Sequence, residues 1–234
     1  MYDGLPVDRL SSDFAEVMGS AYSVSAFTDW VDPGVMVWRK QRAGAPTEPE
    51  WLGARVADGP RHPIKGMPAD YATQQGGVPG PWNERLPHFR LDFTPSNGDE
   101  LQSEYFVPRE RSAEAFEALR VLGNQLAPVL QVSEVRTIAA DDLWLSGAYG
   151  GDAVGLHFTW VRDVPGVYAV LPRIEDALLP LGARPHWGKC FLATAARLAP
   201  AYPRFDDFRR LADRLDPGRK LRNEFLERHL GLAC

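Results

Sequence analysis

The segment Ala153–Val161 has the most regular pattern in the chain. Its even positions from 154 to 160 carry Val, Leu, Phe and Trp, and Gly155, His157 and Thr159 lie between them. Successive side chains of a β-strand point to opposite faces of its sheet. The pattern therefore predicts a strand with one apolar and one polar face, and other elements must cover the apolar face.

The other elements are predicted from the spacing of apolar residues. Extended patterns occur at Tyr22–Asp29, Gly34–Lys40, Leu101–Val107 and Val129–Ile138. Helical spacing occurs at Leu5–Ala21, Arg111–Leu126, Val167–Leu179, Arg204–Leu215 and Leu221–Leu230. This order favours an α+β fold, in which an antiparallel β-sheet has helices packed on one face and a helical tail lies at the C-terminus.

Residues 41–99 are the least regular part of the chain. They contain nine of the 20 prolines, together with the pair Gly76-Gly77. Long irregular segments are uncommon inside compact domains and usually serve a function. We therefore expect this segment to pack over a functional site.

Composition excludes several classes of function. The chain has 26 Lys and Arg against 31 Asp and Glu, a net charge of −5, and no basic cluster. We therefore expect no nucleic-acid partner. The chain also has no long apolar run, no secretory signal pattern and only two cysteines. These features predict a cytoplasmic protein without a membrane partner.

Two kinds of motif are missing from the sequence. None of the 21 glycines forms a G-x-G pair, which excludes a Rossmann fingerprint, and the G-x-x-x-x-G-K-[ST] pattern of a Walker loop does not occur. The five histidines have no metal-ligand spacing, and no metal site is predicted.

Polar residues lie two positions apart in three of the predicted strands, which places each pair on one face. The pairs are Gln102 and Glu104, Glu134 and Arg136, and His157 and Thr159. Such a face suits a polyhydroxylated ligand, because each hydroxyl must keep a hydrogen-bond partner when it leaves water. Taken singly, Glu134 and Arg136 also fit a solvated ion pair, and His157 fits a partly buried structural histidine. We expect Glu104 to face solvent and leave it outside the site.

The hexapeptide Arg184-Pro185-His186-Trp187-Gly188-Lys189 brings a lysine next to aromatic surface. A Trp and a Gly between His186 and Lys189 indicate close packing rather than a solvated charged loop. A lysine held in such surroundings can act as a base or as a hydrogen-bond donor. An ordinary surface lysine is the alternative interpretation.

Five motifs follow one another in the second half of the chain. They are S-E-V-R-T-I (133–138), D-D-L-W-L-S (141–146), L-H-F-T-W (156–160), R-P-H-W-G-K (184–189) and D-P-G-R-K-L-R-N-E-F-L (216–226). In this order they resemble the C-terminal part of the sugar-alcohol and aldonolactone oxidases, which are FAD enzymes of the vanillyl-alcohol-oxidase type. The resemblance extends from Gly4 over essentially the whole chain, and H-W-G-K after E-x-R is its most specific part.

The resemblance favours the alditol branch of this family. Lactone oxidases generally lack the histidine of H-F-T-W and often read H-W-A-K, whereas this chain has His157, Thr159 and Gly188. The resemblance implies that the polyol is contacted by Glu134, Arg136, Thr159 and Lys189, with Gln102 nearby. It further implies that His157 and Lys189 engage the hydroxyl being oxidised and that His186 touches the flavin.

The resemblance also implies a division of the chain. Residues 1–193 correspond to the substrate-binding (cap) domain, and residues 194–234 to a helical tail that packs on the FAD-binding domain in complete members. That FAD-binding domain has no counterpart in this sequence. We therefore expect the chain alone to hold no FAD, with a separate FAD-binding domain in trans as its candidate partner.

The expected function is that of the substrate-binding half of an FAD-dependent oxidase, inactive alone. The complete enzyme would oxidise the terminal hydroxyl of an alditol to an aldose, with O₂ as acceptor and H₂O₂ as product. One alternative is the corresponding portion of a D-arabinono-1,4-lactone or L-gulono-1,4-lactone oxidase. The other is a non-catalytic polyol-binding or interaction module.

Overall fold

A computed structural model describes residues 1–90, 92 and 100–233 of the chain. In these residues the central element is an antiparallel sheet of nine strands. The strands are β1 (Tyr2–Pro6), β2 (Ser23–Thr28), β3 (Gly34–Lys40), β4 (Glu50–Trp51), β5 (Ala54–Val56), β6 (Leu101–Pro108), β7 (Leu130–Ile138), β8 (Ala153–Trp160) and β9 (Arg184–Pro185). Their spatial order is β4-β5-β1-β3-β2-β7-β8-β6-β9, so β8 lies between β7 and β6.

The described residues also form eight α-helices. They are α1 (Val7–Ser12), α2 (Phe14–Gly19), α3 (Trp82–Arg85), α4 (Ser112–Leu126), α5 (Val164–Leu178), α6 (Ala195–Leu198), α7 (Phe205–Leu215) and α8 (Glu224–Leu230). Short 3₁₀ turns occur at Ala69–Tyr71, Arg109–Arg111, Leu179–Leu181 and Ala199–Ala201. The predicted α+β fold is confirmed.

Most predicted elements agree with the structure to within a few residues, but the helix predicted over Leu5–Ala21 is wrong at its start. Residues Tyr2–Pro6 form β1, which pairs with β3 on one side and β5 on the other. The helical part begins after Pro6 and is interrupted at Asp13, whose φ of −110° is not helical. The pairing partners of β1 are distant in sequence, so local spacing did not reveal them.

Capping sets the start of the long helix after β8. The side chain of Asp163 accepts a hydrogen bond from the Gly166 N–H, and Pro165 occupies the first turn. The helix therefore begins at Val164, three residues before the predicted start at Val167.

One face of the sheet is the main hydrophobic core. The alternating apolar residues of β8 lie on this face together with Val135 of β7, and α4 and α5 cover it. Fully buried side chains in this layer include Val135, Leu156, Phe158, Trp160, Phe116, Leu119, Leu171 and Ile174. Burying apolar surface on this scale is the main force that holds the helices to the sheet.

The opposite face has a smaller apolar cluster beside its polar residues. Phe27, Trp38 and Val132 of the sheet pack there against Ile64 and Ala72 of the irregular segment. The described residues of this segment therefore pack against this face of the sheet, and its expected position over a functional site stays a prediction. Residues 91 and 93–99, including Pro95, lie outside the described part.

The C-terminal helices bury part of their apolar surface in the main hydrophobic core. Phe205 and Leu230 are buried in the main core, and His229 Nδ1 donates a hydrogen bond of 2.7 Å to the Ala193 carbonyl. By contrast, Leu215 and Leu221 are 73% and 75% exposed. In the described residues, no helix combines the length and apolar character needed to cross a bilayer.

Candidate active site

Three polar side chains lie side by side in the middle of the sheet because their strands are in register. His157 on β8 is paired with Glu134 on β7 and with Glu104 on β6. Paired residues on adjacent strands share a face and lie about 5 Å apart. The prediction that Glu134 and His157 share one face is therefore confirmed.

Glu104 is buried at one end of this row, so the expectation that it faces solvent is wrong. It is 4% exposed, and Oε1 accepts a hydrogen bond from Arg136 at 2.9 Å while Oε2 accepts one from Lys189 at 2.7 Å. Burial alone would raise the pKa of Glu104, but the charge of Arg136 and the hydrogen bond from Lys189 outweigh it and lower that pKa. The spacing from Gln102 gave the correct face, but it could not show which groups cover that face.

Arg136 lies between two carboxylates. Besides its bond to Glu104, its Nη1 is 3.5 Å from Glu134 Oε2. The residue paired with Arg136 on β8 is Gly155, where a Cβ atom would come within 3.2 Å of Glu104 Oε1 and 2.9 Å of Ile138 Cδ1. The glycine therefore leaves the space in which the ion pair forms.

Lys189 reaches the row from the edge of the sheet. After β9, the His186 N–H donates to the Glu104 carbonyl and the Cys190 N–H donates to the Gln102 carbonyl. Residues 187–189 lie between the two donors, whereas Ser103 alone lies between the two acceptors on β6. The segment after β9 therefore bulges. The bulge places Lys189 over the polar face.

Trp187 anchors this bulge, as predicted. Its Nε1 donates a hydrogen bond of 2.9 Å to the Leu145 carbonyl, and its ring packs against Tyr202. The consequence is that Lys189 Nζ lies 3.0 Å from His157 Nδ1. The predicted proximity of Lys189 and His157 is confirmed.

The surroundings of His157 determine its protonation state. Burial and then the charge of Lys189 lower its pKa to about 4, so the imidazole is neutral near neutral pH. Lys189 and Arg136 both approach Nδ1, and both carry only donors, so Nδ1 must accept. The ring proton is therefore on Nε2, which lies 3.3 Å from Thr159 Oγ1.

Glu134 is held by a residue that sequence reasoning missed. His88 Nε2 lies 2.9 Å from Glu134 Oε1 and 3.0 Å from Ser25 Oγ. Burial alone would raise the pKa of Glu134, but the His88 hydrogen bond and the charge of Arg136 lower it to about 2. Glu134 is therefore ionised at physiological pH.

The segment that carries His88 is fixed to the sheet by Lys40. Its Nζ donates to the carbonyls of residues 85, 86 and 87, at 2.9, 2.5 and 2.6 Å. His88 lies in the proline-rich segment, where no periodic pattern distinguishes one side chain from another. The sequence around Pro87 therefore did not identify His88 as a site residue.

The remaining predicted residues differ in their relation to the row. Thr159 is buried beside His157, and Gln102 is its paired neighbour on β6. His186 lies further along the edge, where its ring packs against Phe106 and its Nδ1 accepts the Gly188 N–H. The structure thus brings the polyol-binding candidates together and leaves His186 at their border.

The row is electrically balanced. Two carboxylates, Glu104 and Glu134, face two cations, Arg136 and Lys189, and His157 is neutral. Arg136 remains 36% exposed, so the face is open to a ligand. A neutral molecule with several hydroxyls can bind here without leaving a buried charge unpaired. In the described residues, no group of three or more His, Cys, Asp or Glu could hold a metal ion.

A cleft with a volume of about 730 Å³ lies elsewhere in the fold. It is lined by residues from 38–47 and 73–86, and none of the predicted site residues contributes to it. Its lining includes Lys40, so it adjoins the segment that carries His88.

Comparison with known proteins gives several relatives of this chain. Alditol oxidase from Streptomyces sp. (strain IKD472 / FERM P-14339) is 51% identical over 227 residues, which cover 97% of this chain and 54% of that protein. L-gulono-1,4-lactone dehydrogenase from Mycobacterium tuberculosis (strain ATCC 25618 / H37Rv) is 35% identical over 133 residues, which cover 56% of this chain and 30% of that protein. L-gulonolactone oxidase from Bos taurus is 29% identical over 131 residues, which cover 53% of this chain and 30% of that protein.

The chain thus spans about half the length of the alditol oxidase and less of the lactone enzymes. The family model described as D-arabinono-1,4-lactone oxidase matches residues 97–229, more than half of the chain. This match covers all the predicted site residues. The chain therefore belongs to the D-arabinono-1,4-lactone oxidase family.

Proposed function

We propose that this chain forms the substrate-binding side of an FAD-dependent oxidase that converts the terminal hydroxyl of an alditol to an aldehyde, with O₂ as acceptor and H₂O₂ as product. The observation that carries the proposal is the row of fixed hydrogen-bond donors and acceptors around His157, in which two carboxylates balance two cations. The 51% identity to an alditol oxidase over 97% of the chain supports it.

His157 and Lys189 are the proposed contacts of the reacting hydroxyl. The Nε2–H of His157 donates a hydrogen bond to the hydroxyl oxygen, because Nδ1 is already engaged by two donors. His157 or Lys189 would take or share the hydroxyl proton, since Lys189 Nζ and His157 Nδ1 lie 3.0 Å apart. Such proton transfer typically contributes about 10²–10⁴ to a rate.

Arg136 and Glu134 are the proposed contacts of the other hydroxyls, with Thr159 and Gln102 beside them. The guanidinium supplies fixed donors and the carboxylate supplies fixed acceptors, so an alditol can form hydrogen bonds of both kinds. Each hydrogen bond to a charged group is worth about 1.5–3 kcal/mol. Together these bonds orient the terminal carbon.

Two residues at the border of the row are the proposed contacts of a flavin. His186 is half-buried against Phe106 and lies three residues before Lys189, so both residues border the proposed substrate site on one side. FAD, when bound, would accept the hydride from the carbinol carbon. His186 and Lys189 are the residues that would face it.

The proposal includes the division of the chain at residue 193. Residues 1–193 act as the cap domain, and residues 194–234 as a tail that packs on an FAD-binding domain, supplied in trans where it is a separate chain. The exposed Leu215 and Leu221 support this role of the tail. The low cysteine content supports a cytoplasmic location.

We propose further that this chain alone holds no stoichiometric FAD. In complete members of the family the FAD-binding domain supplies the pyrophosphate-binding loop, and the site residues proposed here contact the substrate and one edge of the flavin. An absorbance spectrum of the purified chain tests this directly. A yellow protein with about one flavin per chain would contradict it.

The activity is tested with a chimera in which the N-terminal part of the Streptomyces alditol oxidase precedes this chain. We expect H₂O₂ release with xylitol and sorbitol, and its loss in Lys189→Ala. Arg120→Ala is the matched control, because this cation pairs on the surface with Asp8, far from the row. Flavin binding without turnover of any polyol or lactone would favour a non-catalytic polyol-binding or interaction module.

A second candidate is oxidation of an aldonolactone. The family description and the 35% identity to a lactone dehydrogenase favour it. A lactone such as L-gulono-1,4-lactone presents hydroxyls to the same Arg136 and Glu134. Turnover of this lactone by the chimera, with none of xylitol, would replace the alditol proposal.

A further inference from the structure

His88 occupies a position that the proposed function does not explain. It comes from the irregular segment, yet its Nε2 lies 2.9 Å from Oε1 of Glu134, a proposed polyol contact. Its ring lies edge-on to Trp38 and Phe27, with centroids 5.3 and 5.7 Å away. These contacts hold the imidazole at the end of the row, one strand beyond Glu134.

The protonation of His88 follows from its partners. An ionised Glu134 carboxylate has only acceptors, so Nε2 must carry a proton. The hydrogen bond therefore runs from the His88 Nε2–H to Glu134 Oε1. The Nδ1 atom of His88 is buried and has no hydrogen-bond partner in the described residues.

Ser25, His88 and Glu134 do not form a nucleophilic triad. In such triads the hydroxyl and the carboxylate bind opposite nitrogens of the imidazole. Here Ser25 Oγ and Glu134 Oε1 both approach Nε2, and Ser25 is buried. The cluster therefore fixes the carboxylate rather than activating the serine.

The effect on Glu134 is to separate the tasks of its two oxygens. Oε1 is bound by His88, whereas Oε2 lies 3.5 Å from Arg136 Nη1, a spacing that leaves it able to accept another hydrogen bond. A carboxylate with one oxygen tied can no longer rotate freely. The free oxygen is thereby held next to the guanidinium.

The segment behind His88 is itself rigidly attached. Lys40 binds three consecutive carbonyls that precede His88, and Thr73 Oγ1 donates to the Pro87 carbonyl at 2.7 Å. The Thr73 N–H also donates to the His88 carbonyl. The position of the imidazole is therefore set before any ligand binds.

We propose that His88 is a positioning and specificity residue, which holds Glu134 so that its free oxygen and Arg136 together recognise the distal hydroxyls of a polyol. This inference rests on the proposed function. It assigns the irregular segment a direct part in substrate choice. A ligand without distal hydroxyls should gain nothing from His88.

The test replaces His88 by Asn or by Gln, both of which carry a side-chain amide, in the full chain. The dissociation constant of xylitol is measured for each variant. The amide of Gln reaches the position of Nε2, whereas the amide of the shorter Asn does not. We expect His88→Asn to weaken xylitol binding about tenfold, equivalent to one lost charged hydrogen bond, and His88→Gln to stay within about threefold of the parent chain. His88→Phe keeps a ring among Trp38 and Phe27 without the donor, and we expect it to weaken xylitol binding to the same degree. It replaces His88→Asn as the test variant if His88→Asn fails to fold.

Two controls separate positioning from a general structural effect. 1,2-Pentanediol has the same carbon chain as xylitol without the distal hydroxyls, so its affinity should be equal in all the variants. His229→Phe removes another buried imidazole, bonded to the Ala193 carbonyl, and should leave xylitol binding unchanged.

Three outcomes would overturn the inference while the proposed function stands. In the first, His88→Asn and His88→Phe bind xylitol as tightly as the parent chain does. In the second, these variants lose equal affinity for xylitol and for 1,2-pentanediol. In the third, His88→Gln binds xylitol as weakly as His88→Asn does. A parent chain that binds neither xylitol nor L-gulono-1,4-lactone would instead contradict the proposed function itself, and the inference with it.

Discussion

Glu104 Oε2 accepts a hydrogen bond of 2.7 Å from Lys189 Nζ, although 85 positions separate the two residues in the chain. The contact joins β6 to the bulge that follows β9. Through its other oxygen, Glu104 also holds Arg136. One buried carboxylate thus orients both cations of the candidate site.

Replacing Glu104 by Gln should therefore disturb the whole row. The substitution leaves Arg136 and Lys189 without their shared counter-charge, and breaking a buried pair of this kind costs about 3 kcal/mol of unfolding free energy. Chemical denaturation measures this loss, and xylitol binding should weaken in parallel. Glu114→Gln is the control, because Glu114 pairs with Arg111 on an exposed helix surface and should have no measurable effect. Equal stability of the Glu104 variant and the parent chain would contradict the central role of Glu104.

Gly155→Ala tests the space in which the ion pair forms. The added methyl group would lie 3.2 Å from Glu104 Oε1 and 2.9 Å from Ile138 Cδ1, so the carboxylate or the Ile138 side chain must shift. We expect a loss of about 1–3 kcal/mol in unfolding free energy and weaker polyol binding. Gly151→Ala, where no heavy atom lies within 4 Å of the added carbon, is the matched control. Similar behaviour of the two alanine variants would show that the ion pair has room to move.

His157 should make stability depend on pH. Its pKa of about 4 in the folded chain lies below the ordinary value of 6.5, so between these values the unfolded chain binds a proton and the folded chain does not. The free energy of unfolding must then fall as the pH drops through this window, by about 2 kcal/mol between pH 7 and pH 5. His157→Asn keeps an acceptor for Lys189 and Arg136 but does not titrate.

Denaturation at both pH values therefore measures the contribution of His157. We expect the parent chain to lose about 2 kcal/mol more than His157→Asn, because the other acidic groups contribute equally in both proteins. Identical losses in the two proteins would mean that His157 is not held neutral by its neighbours.

The C-terminal helices should be less stable than the central sheet. β8 is hydrogen-bonded on both sides, by β7 and β6, whereas Leu215 at the end of α7 and Leu221 just before α8 are exposed. Regions with few buried contacts open more readily than the core. We expect amide hydrogens of α7 and α8 to exchange at least tenfold faster than those of β8. Equal protection would show that the tail is an integral part of the sheet domain.

The sequence alone determined the faces of the central strands and the family. The strict alternation in Ala153–Val161 separated His157 and Thr159 from the apolar core, and H-W-G-K placed Lys189 with them. These patterns are local, and a period of two residues follows directly from strand geometry. The family resemblance, based on the order of the motifs, is confirmed by the match to residues 97–229.

Only the tertiary structure decided which groups surround the polar row. Alternation along β6 put Glu104 on the correct face, but its burial depends on Lys189 and Arg136, which come from two other segments. His88 lies in a segment without any periodic pattern, and its contact with Glu134 depends on the bonds from Lys40. The physical reason is that spacing in a sequence determines the direction of a side chain, whereas its burial, its charge partners and its protonation depend on groups brought together from distant parts of the chain.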